Sequence, residues 1–208
     1  MGALNKLDAP AVRQAPWVKR WLAFVRATPE INGVDIHPHV ASFQQSVPFV
    51  RYVLKGIRPD QQFLVTEFSL VWYWKAHMHD RVPPIFAQRY GMSTKLQMWQ
   101  AVHAAILHPF SQEEWNDLLT GSSWFAAQRL YIQEEVRLFR GTGRLAVACY
   151  SFEQQASMTR NFGPKSVPWL LNSVYARRTV REAPGGTAPT NPYWFTAFKQ
   201  IDGMHAGE

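Results

Sequence analysis

Three side chains capable of acid–base or nucleophilic chemistry come at the ends of two short apolar stretches. His37 ends the stretch 33–37 with His39 two residues later, and Glu67 lies near the end of the stretch 62–68. The apolar run of the second stretch is typical of a parallel strand that is covered on both faces. Because the carboxyl ends of neighbouring parallel strands meet at one edge, we expect His37 and Glu67 at one mouth. A histidine there can donate a hydrogen bond to the carboxylate, which favours its charged form.

The elements around these residues alternate between helix and strand. Apolar spacing of the i, i+3, i+4, i+7 type predicts a helix over 10–27 and a second helix over 45–56. A third apolar strand is expected over 144–151. Helix, strand, helix and strand joined by short connections are typical of βαβ units, which close into doubly wound sheets or barrels. The sequence therefore predicts an α/β fold.

The remaining segments are expected to form one domain with these units, over 1–208. Residues 69–92 predict a long loop excursion on one face of that domain, because they contain aromatic residues, two prolines and a glycine. Helical patterns return afterwards, with a capping box at Ser111 and Glu114 before one of the helices. A short final helix is expected over 192–200.

The two strand ends resemble those of the clan A retaining glycoside hydrolases. In that family the sixth strand reads hydrophobic-Asp-hydrophobic-x-His-x-Tyr, and the seventh ends in Thr-Glu followed by an aromatic residue or glycine. Asp35, His37 and the triplet 66–68 (Thr-Glu-Phe) fall into this pattern, about 30 residues apart with one helix between them. Pro-Trp-Leu-Leu-Asn at 168–172 is similar to a stretch that many members carry after the eighth strand. The resemblance covers residues 30–70 well and 144–200 loosely.

The resemblance implies the carboxy-terminal part of a (β/α)8 barrel that hydrolyses O-glycosidic bonds with retention and without a cofactor or metal. Glu67 would be the nucleophile that forms a glycosyl-enzyme, and a second carboxyl group about 5–5.5 Å away would act as acid and base. The substrate would be a carbohydrate. The expected substrate-binding residues are His37, His39, Trp72, Trp74 and Tyr150, with packing of the loop as the alternative role for the two tryptophans.

Three departures from the family pattern bear on activity. His39 stands where the family has an aromatic residue, and Tyr150 or Phe152 falls in the region of the usual strand-eight tryptophan. The acid/base glutamate of the family follows an asparagine on the fourth strand, and no strand is expected before the helix at 10–27. The chain is therefore expected to be truncated, completed by a missing amino-terminal half or a partner chain. The alternative is an inactive remnant, or a module that binds carbohydrate or protein without catalysis.

The charge distribution and the histidine content bear on nucleic-acid, membrane and metal binding. The net charge is +7, but the basic residues are scattered instead of forming the stripe or module expected of a nucleic-acid-binding protein. A basic surface that binds nucleic acid or anionic membrane is kept only as a third hypothesis, and neither partner is expected. His77, His79 and Asp80 suggest a metal site, but no further ligand is evident, so no metal is expected.

Cellular location is inferred from what the sequence lacks. Cys149 is the single cysteine, and the first ten residues contain no apolar signal segment. The apolar runs are shorter than the ~20 residues that a membrane helix needs. A cytoplasmic protein is expected from the sequence as written, or a secreted one if the true amino terminus lies upstream.

Overall fold

The computed structural model describes residues 3–202 and has an α/β fold, as predicted. By internal contacts the chain divides into two compact units. The first comprises residues 3–70 and 134–150, and the second comprises residues 71–133 and 151–202. The chain therefore leaves the first unit after Leu70 and returns to it at Glu134.

The first unit contains the sheet and its connecting helices. Its elements are β1 (Leu4–Asn5), α1 (Pro10–Gln14), α2 (Pro16–Ala27), β2 (Gly33–His37), α3 (Phe43–Gly56), β3 (Gln62–Val65), most of α9 (Tyr131–Arg140) and β4 (Leu145–Ala148). All strand pairings are parallel, and the strands follow one another in the order β1-β2-β3-β4. The predicted strands over 33–37, 62–68 and 144–151 are thus present, the last two in shorter form.

Side-chain alternation gives β2 a buried face and a partly exposed face. Val34 and Ile36 point into the core, whereas Asp35 and His37 remain partly exposed. Since successive side chains of a strand point to opposite faces, residues 35 and 37 share one face. This face carries the polar side chains that were singled out from the sequence.

The amino-terminal region differs from the prediction at two places. The expected single helix over 10–27 is interrupted at Ala15, whose extended ψ of 133° separates α1 from α2. Pro16 explains the break, because a proline disfavours the helical conformation in the residue before it. The expectation that no strand precedes the first helix is also wrong, since β1 pairs Leu4 with Ile36.

Arginine side chains tie together the amino ends of the strands in the first unit. The guanidinium of Arg144 donates to the carbonyl oxygen of Gln61 at 2.6 and 2.9 Å and to the carbonyls of Leu54 and Arg58. Arg58 in turn donates to several carbonyls at the end of α2, including that of Thr28 at 2.9 Å. Carbonyls near the ends of α2 and α3 and just before β3 thereby receive charged donors.

The second unit is mainly helical. Its elements are α4 (Val71–His77), α5 (Pro84–Arg89), α6 (Met98–Leu107), α7 (Gln112–Thr120), α8 (Ser123–Ala127), the first turn of α9, α10 (Ala156–Thr159), a 3₁₀ helix (Trp169–Asn172) and α11 (Trp194–Asp202). Two of these, α4 and α5, occupy the segment 69–92, where a loop excursion was expected. The predicted capping box is confirmed, because Ser111 accepts from the Glu114 backbone N–H and Glu114 accepts from that of Ser111.

Three buried tryptophans form the core of the second unit, and each indole N–H has an acceptor. Trp74 donates to Asn172 Oδ1 at 2.8 Å, Trp115 to Asn191 Oδ1 at 2.5 Å, and Trp194 to the Leu171 carbonyl at 2.7 Å. The 168–172 stretch is therefore packed beneath the final helix α11. Buried Trp is stabilising only when its N–H is paired, which accounts for the two fully buried asparagines.

Among residues 3–202, no helix combines the length and apolar character needed to cross a bilayer.

Candidate functional site

The candidate site lies within the first unit, at the carboxyl ends of β2 and β3. The register of these strands places Asp35 beside Leu64. Gly33 lets the strands approach closely, since a Cβ on it would lie 2.5 Å from the Gln62 carbonyl oxygen. The polar residues that follow the two strands are therefore brought side by side.

Thr66 connects Asp35 to His37 through its hydroxyl group. The hydroxyl donates to Asp35 Oδ2 at 2.6 Å, because an ionised carboxylate can only accept. The same oxygen lies 2.7 Å from His37 Nε2, so it accepts the proton that this nitrogen carries. This network places a proton on His37 Nε2 and leaves Nδ1 facing Glu67.

Glu67 turns toward the histidines because the chain bends directly after β3. Strict alternation would point residues 66 and 67 to opposite faces, but β3 ends at Val65 and a bend follows at Thr66. Oε2 of Glu67 lies 3.7 Å from His37 Nδ1 and 3.3 Å from His39 Nε2. Its side chain is 61% exposed, so the carboxylate can be reached from solvent.

Backbone pairing beyond the strands holds His39 in place. The segments after β2 and β3 continue in parallel, with a bridge between His39 and Ser69. Ser69 N–H donates to the Pro38 carbonyl at 3.1 Å, and Val40 N–H donates to the Ser69 carbonyl at 2.9 Å. The Ser69 hydroxyl also lies 2.9 Å from His39 Nδ1. Both ring nitrogens of His39 therefore have polar neighbours.

Burial changes the acid–base behaviour of His39. Loss of solvent around the imidazole lowers the pKa of His39 below its usual value. The negative charge and hydrogen bond of Glu67 act in the opposite direction, whereas His37 adds to the lowering. The neutral imidazole, with one nitrogen lone pair, is thus the favoured form.

These three side chains also have the composition of a metal-binding set. One ligand atom each from His37, His39 and Glu67 lies within 4.8 Å of the others. The sequence predicts the two histidines beside Glu67 but suggests metal ligands only at residues 77, 79 and 80. The His-x-His spacing at one strand end, with a glutamate at the next, is the signal that was available.

Two of the expected sugar-binding rings are buried in the core, which corrects their assignment. Trp74 is fully buried, and Tyr150 is 9% exposed with its ring 5.0 Å from that of Phe68. Burial also raises the pKa of the Tyr150 hydroxyl well above its usual value. Neither ring offers a face on which a sugar can stack.

Trp72 lies in the second unit, as do the histidines for which a metal site was considered and not expected. Trp72 on α4 is 39% exposed, so one part of its ring remains available. His77 stacks on Trp124 with an interplanar angle of 2° and contacts Asp80 Oδ2 at 2.6 Å. Its ring is thus engaged by an aromatic neighbour and a carboxylate. His79 is exposed.

Comparisons with protein-family models, with curated proteins and with solved structures find no match to this chain.

Proposed function

We propose that this chain is the carboxy-terminal part of a retaining glycoside hydrolase with Glu67 as its nucleophile. The observation that carries this proposal is the position of Glu67: an exposed carboxylate at the carboxyl end of a parallel strand, held between two histidines. In barrel enzymes the active site is built at this edge of the sheet. A short strand end also holds a nucleophile more rigidly than a long loop.

The strand order supports a barrel ancestry. In a (β/α)8 barrel each strand pairs with the next one along the chain, whereas doubly wound sheets place later strands on both sides of the first. The order β1-β2-β3-β4 is of the first kind. With β1 included, the four strands would correspond to the fifth to eighth strands of such a barrel.

The proposed reaction is a double displacement. The Glu67 carboxylate attacks the anomeric carbon, the bond to the leaving oxygen breaks, and a glycosyl ester forms. Water then attacks the same carbon and releases the sugar with retained configuration. His39 Nε2, at 3.3 Å, is placed to donate to the carboxylate and orient it for attack.

The general acid would have to come from another part of the complete enzyme. Within residues 3–202, the ion-pair contacts of the Glu67 carboxylate are with His37 and His39, and neither is the second carboxylic acid that a retaining glycosidase uses. In the family that the strand ends resemble, this acid follows the fourth strand, which would precede β1. Substrates whose leaving group departs without protonation are therefore the right probes.

The test is covalent trapping with 2-deoxy-2-fluoro glycosides that carry a strongly activated leaving group. The folded chain is incubated with several such sugars in the presence of EDTA, and adducts are located by peptide mass spectrometry. An adduct on Glu67 that is absent from Glu67→Gln and retained in Glu30→Gln supports the proposal. Glu30 is an exposed glutamate of the same unit and serves as the matched control.

The second candidate function is binding of carbohydrate or protein without catalysis. It is favoured by the surroundings of Glu67, since the described contacts of its carboxylate are with His37 and His39 and include no second carboxylic acid. Folded chain that gives no adduct with any of the sugars, yet binds one of them in a calorimetric titration, would establish this function instead.

A further inference from the structure

We propose that His37, His39 and Glu67 form a binding site for a divalent transition metal of the zinc class, with an outer position left open. The ligand atoms are His37 Nδ1, His39 Nε2 and Glu67 Oε2. This inference goes beyond the glycosidase proposal and does not depend on it.

The spacing of the ligand atoms fits metal coordination. Zinc binds imidazole nitrogen and carboxylate oxygen at about 2.0–2.1 Å in a tetrahedral arrangement, so two ligand atoms of one ion are about 3.3 Å apart. Glu67 Oε2 lies 3.3 Å from the ring nitrogen of His39 and 3.7 Å from that of His37. All three ligand atoms lie within 4.8 Å of one another, so side-chain movements that shorten these distances would bring them to one ion.

Thr66 also orients His37 for coordination. Because Nε2–H of His37 is directed to Thr66 at 2.7 Å, Nδ1 is the ring nitrogen that faces the Glu67 carboxylate. A metal ion between these two groups would use both as ligands.

Hydrogen-bonding partners lie next to the ring nitrogens of His37 and His39 that do not face Glu67, as is usual for metal-binding histidines. Ligating histidines are usually held by a hydrogen bond from the ring nitrogen that does not touch the metal. For His37 this bond goes to Thr66, which Asp35 orients in turn, and in the Nδ1–H tautomer of His39 it would go to Ser69, 2.9 Å away. Both rings are therefore fixed from behind, and their remaining nitrogens face Glu67.

The ligand types select among metals. Two imidazoles and one carboxylate suit zinc, cobalt and similar ions, whereas magnesium and calcium prefer sets made of oxygen alone. Three protein ligands leave room for water or another small ligand. The 61% exposure of Glu67 gives such a ligand access.

A bound metal would also change the role of Glu67. A metal ion on Glu67 Oε2 would draw electron density from the carboxylate and occupy the space in front of it. Metal occupancy would therefore weaken Glu67 as a nucleophile. Zinc is accordingly expected to suppress the covalent trapping described above, and EDTA to restore it.

The test is metal binding by the chain without a histidine tag, stripped with EDTA and dialysed. Cobalt is added while its ligand-field absorption is followed, and zinc retention is measured by equilibrium dialysis. We expect one ion per chain, displacement of cobalt by zinc, and loss of binding by at least tenfold in His39→Ala and Glu67→Gln. His79→Ala, which removes an exposed histidine, should bind as the parent chain does.

The metal-binding test can still be interpreted if one of the variants unfolds. His39 is buried and its replacement can disturb folding, but Glu67→Gln changes an exposed side chain and should melt like the parent. Failure of the folded parent chain to retain cobalt or zinc would overturn the inference, as would retention unaffected by Glu67→Gln. Because the trapping experiment is carried out in EDTA, a negative result there contradicts only the glycosidase proposal.

Discussion

The hydroxyl of Thr66 lies 2.6 Å from Oδ2 of Asp35, and the backbone N–H of Thr66 donates to Oδ1 of the same carboxylate at 3.2 Å. One aspartate on β2 therefore holds both the main chain and the side chain of the first residue after β3. The carboxyl ends of the two strands are joined at the point from which Glu67 projects. This contact links the stability of the sheet to the geometry of the site.

Thr66→Val is expected to lower the free energy of unfolding by about 1–3 kcal/mol, because the Asp35 carboxylate and His37 Nε2 each lose a partly buried partner. Chemical denaturation measures this change. Thr120→Val is the matched control, since its hydroxyl bonds to a helix carbonyl at an exposed position, and it should change stability by less than about 0.5 kcal/mol. Equal losses in the two variants would contradict the special role of Thr66.

If the metal inference holds, Thr66→Val should also weaken metal binding by about 10–100-fold.

Gly33→Ala should destabilise the chain because the added Cβ would lie 2.5 Å from the Gln62 carbonyl oxygen. This atom belongs to the backbone of β3, so the two strands must separate. Overpacking of this kind costs about 1–3 kcal/mol. The comparison is Gly163→Ala, where no atom lies within 4 Å of the new Cβ and a neutral or slightly stabilising effect is expected. Thermal melts of both variants decide the point, and an unchanged melt of Gly33→Ala would argue against the close approach of β2 and β3.

Arg144→Lys tests the arginine at the amino ends of the strands. A lysine keeps the charge but cannot reproduce the forked donors that reach the carbonyls of Gln61, Leu54 and Arg58. We expect a loss of about 1.5–3 kcal/mol, the contribution of hydrogen bonds that involve a charged group. Arg129→Lys, at an exposed position, should leave the denaturation midpoint unchanged. A midpoint for Arg144→Lys equal to that of the control would show that a point charge is sufficient.

Apolar patterning was enough to predict the strands that carry the site. β2 was predicted with its observed bounds because Val34 and Ile36 form a short apolar stretch that ends at His37. The residues after β3 were also placed correctly beside it, since neighbouring parallel strands bring their carboxyl ends together. The contact of Glu67 with both histidines depends on the bend at Thr66, which no periodicity signals.

The features that the sequence did not reveal have particular causes. β1 is two residues long and is defined by its pairing with Ile36 and His37, a tertiary contact with no local pattern. Trp74 follows the site closely in sequence, but its indole N–H finds Asn172, a residue far along the chain, and the ring is buried there. Proximity in sequence was therefore a poor guide to the position of a large aromatic side chain.

Tyr90 is expected to make stability fall at alkaline pH. Burial, together with the hydrogen bond to Asp117 at 2.8 Å, raises the pKa of Tyr90 from 10.0 to about 12. Because the folded chain holds this proton more tightly than the unfolded chain, the stabilisation is complete below pH 10 and is lost as pH rises toward about 12. The difference in unfolding free energy between the parent chain and Tyr90→Phe should therefore shrink over this interval. Asp117→Asn removes the charge beside Tyr90 but leaves Tyr90 buried. The loss of stability of this variant with rising pH should therefore lie between the losses of the parent chain and of Tyr90→Phe. A difference between parent and Tyr90→Phe that stays constant from pH 9 to about 12 would contradict a raised pKa at this site.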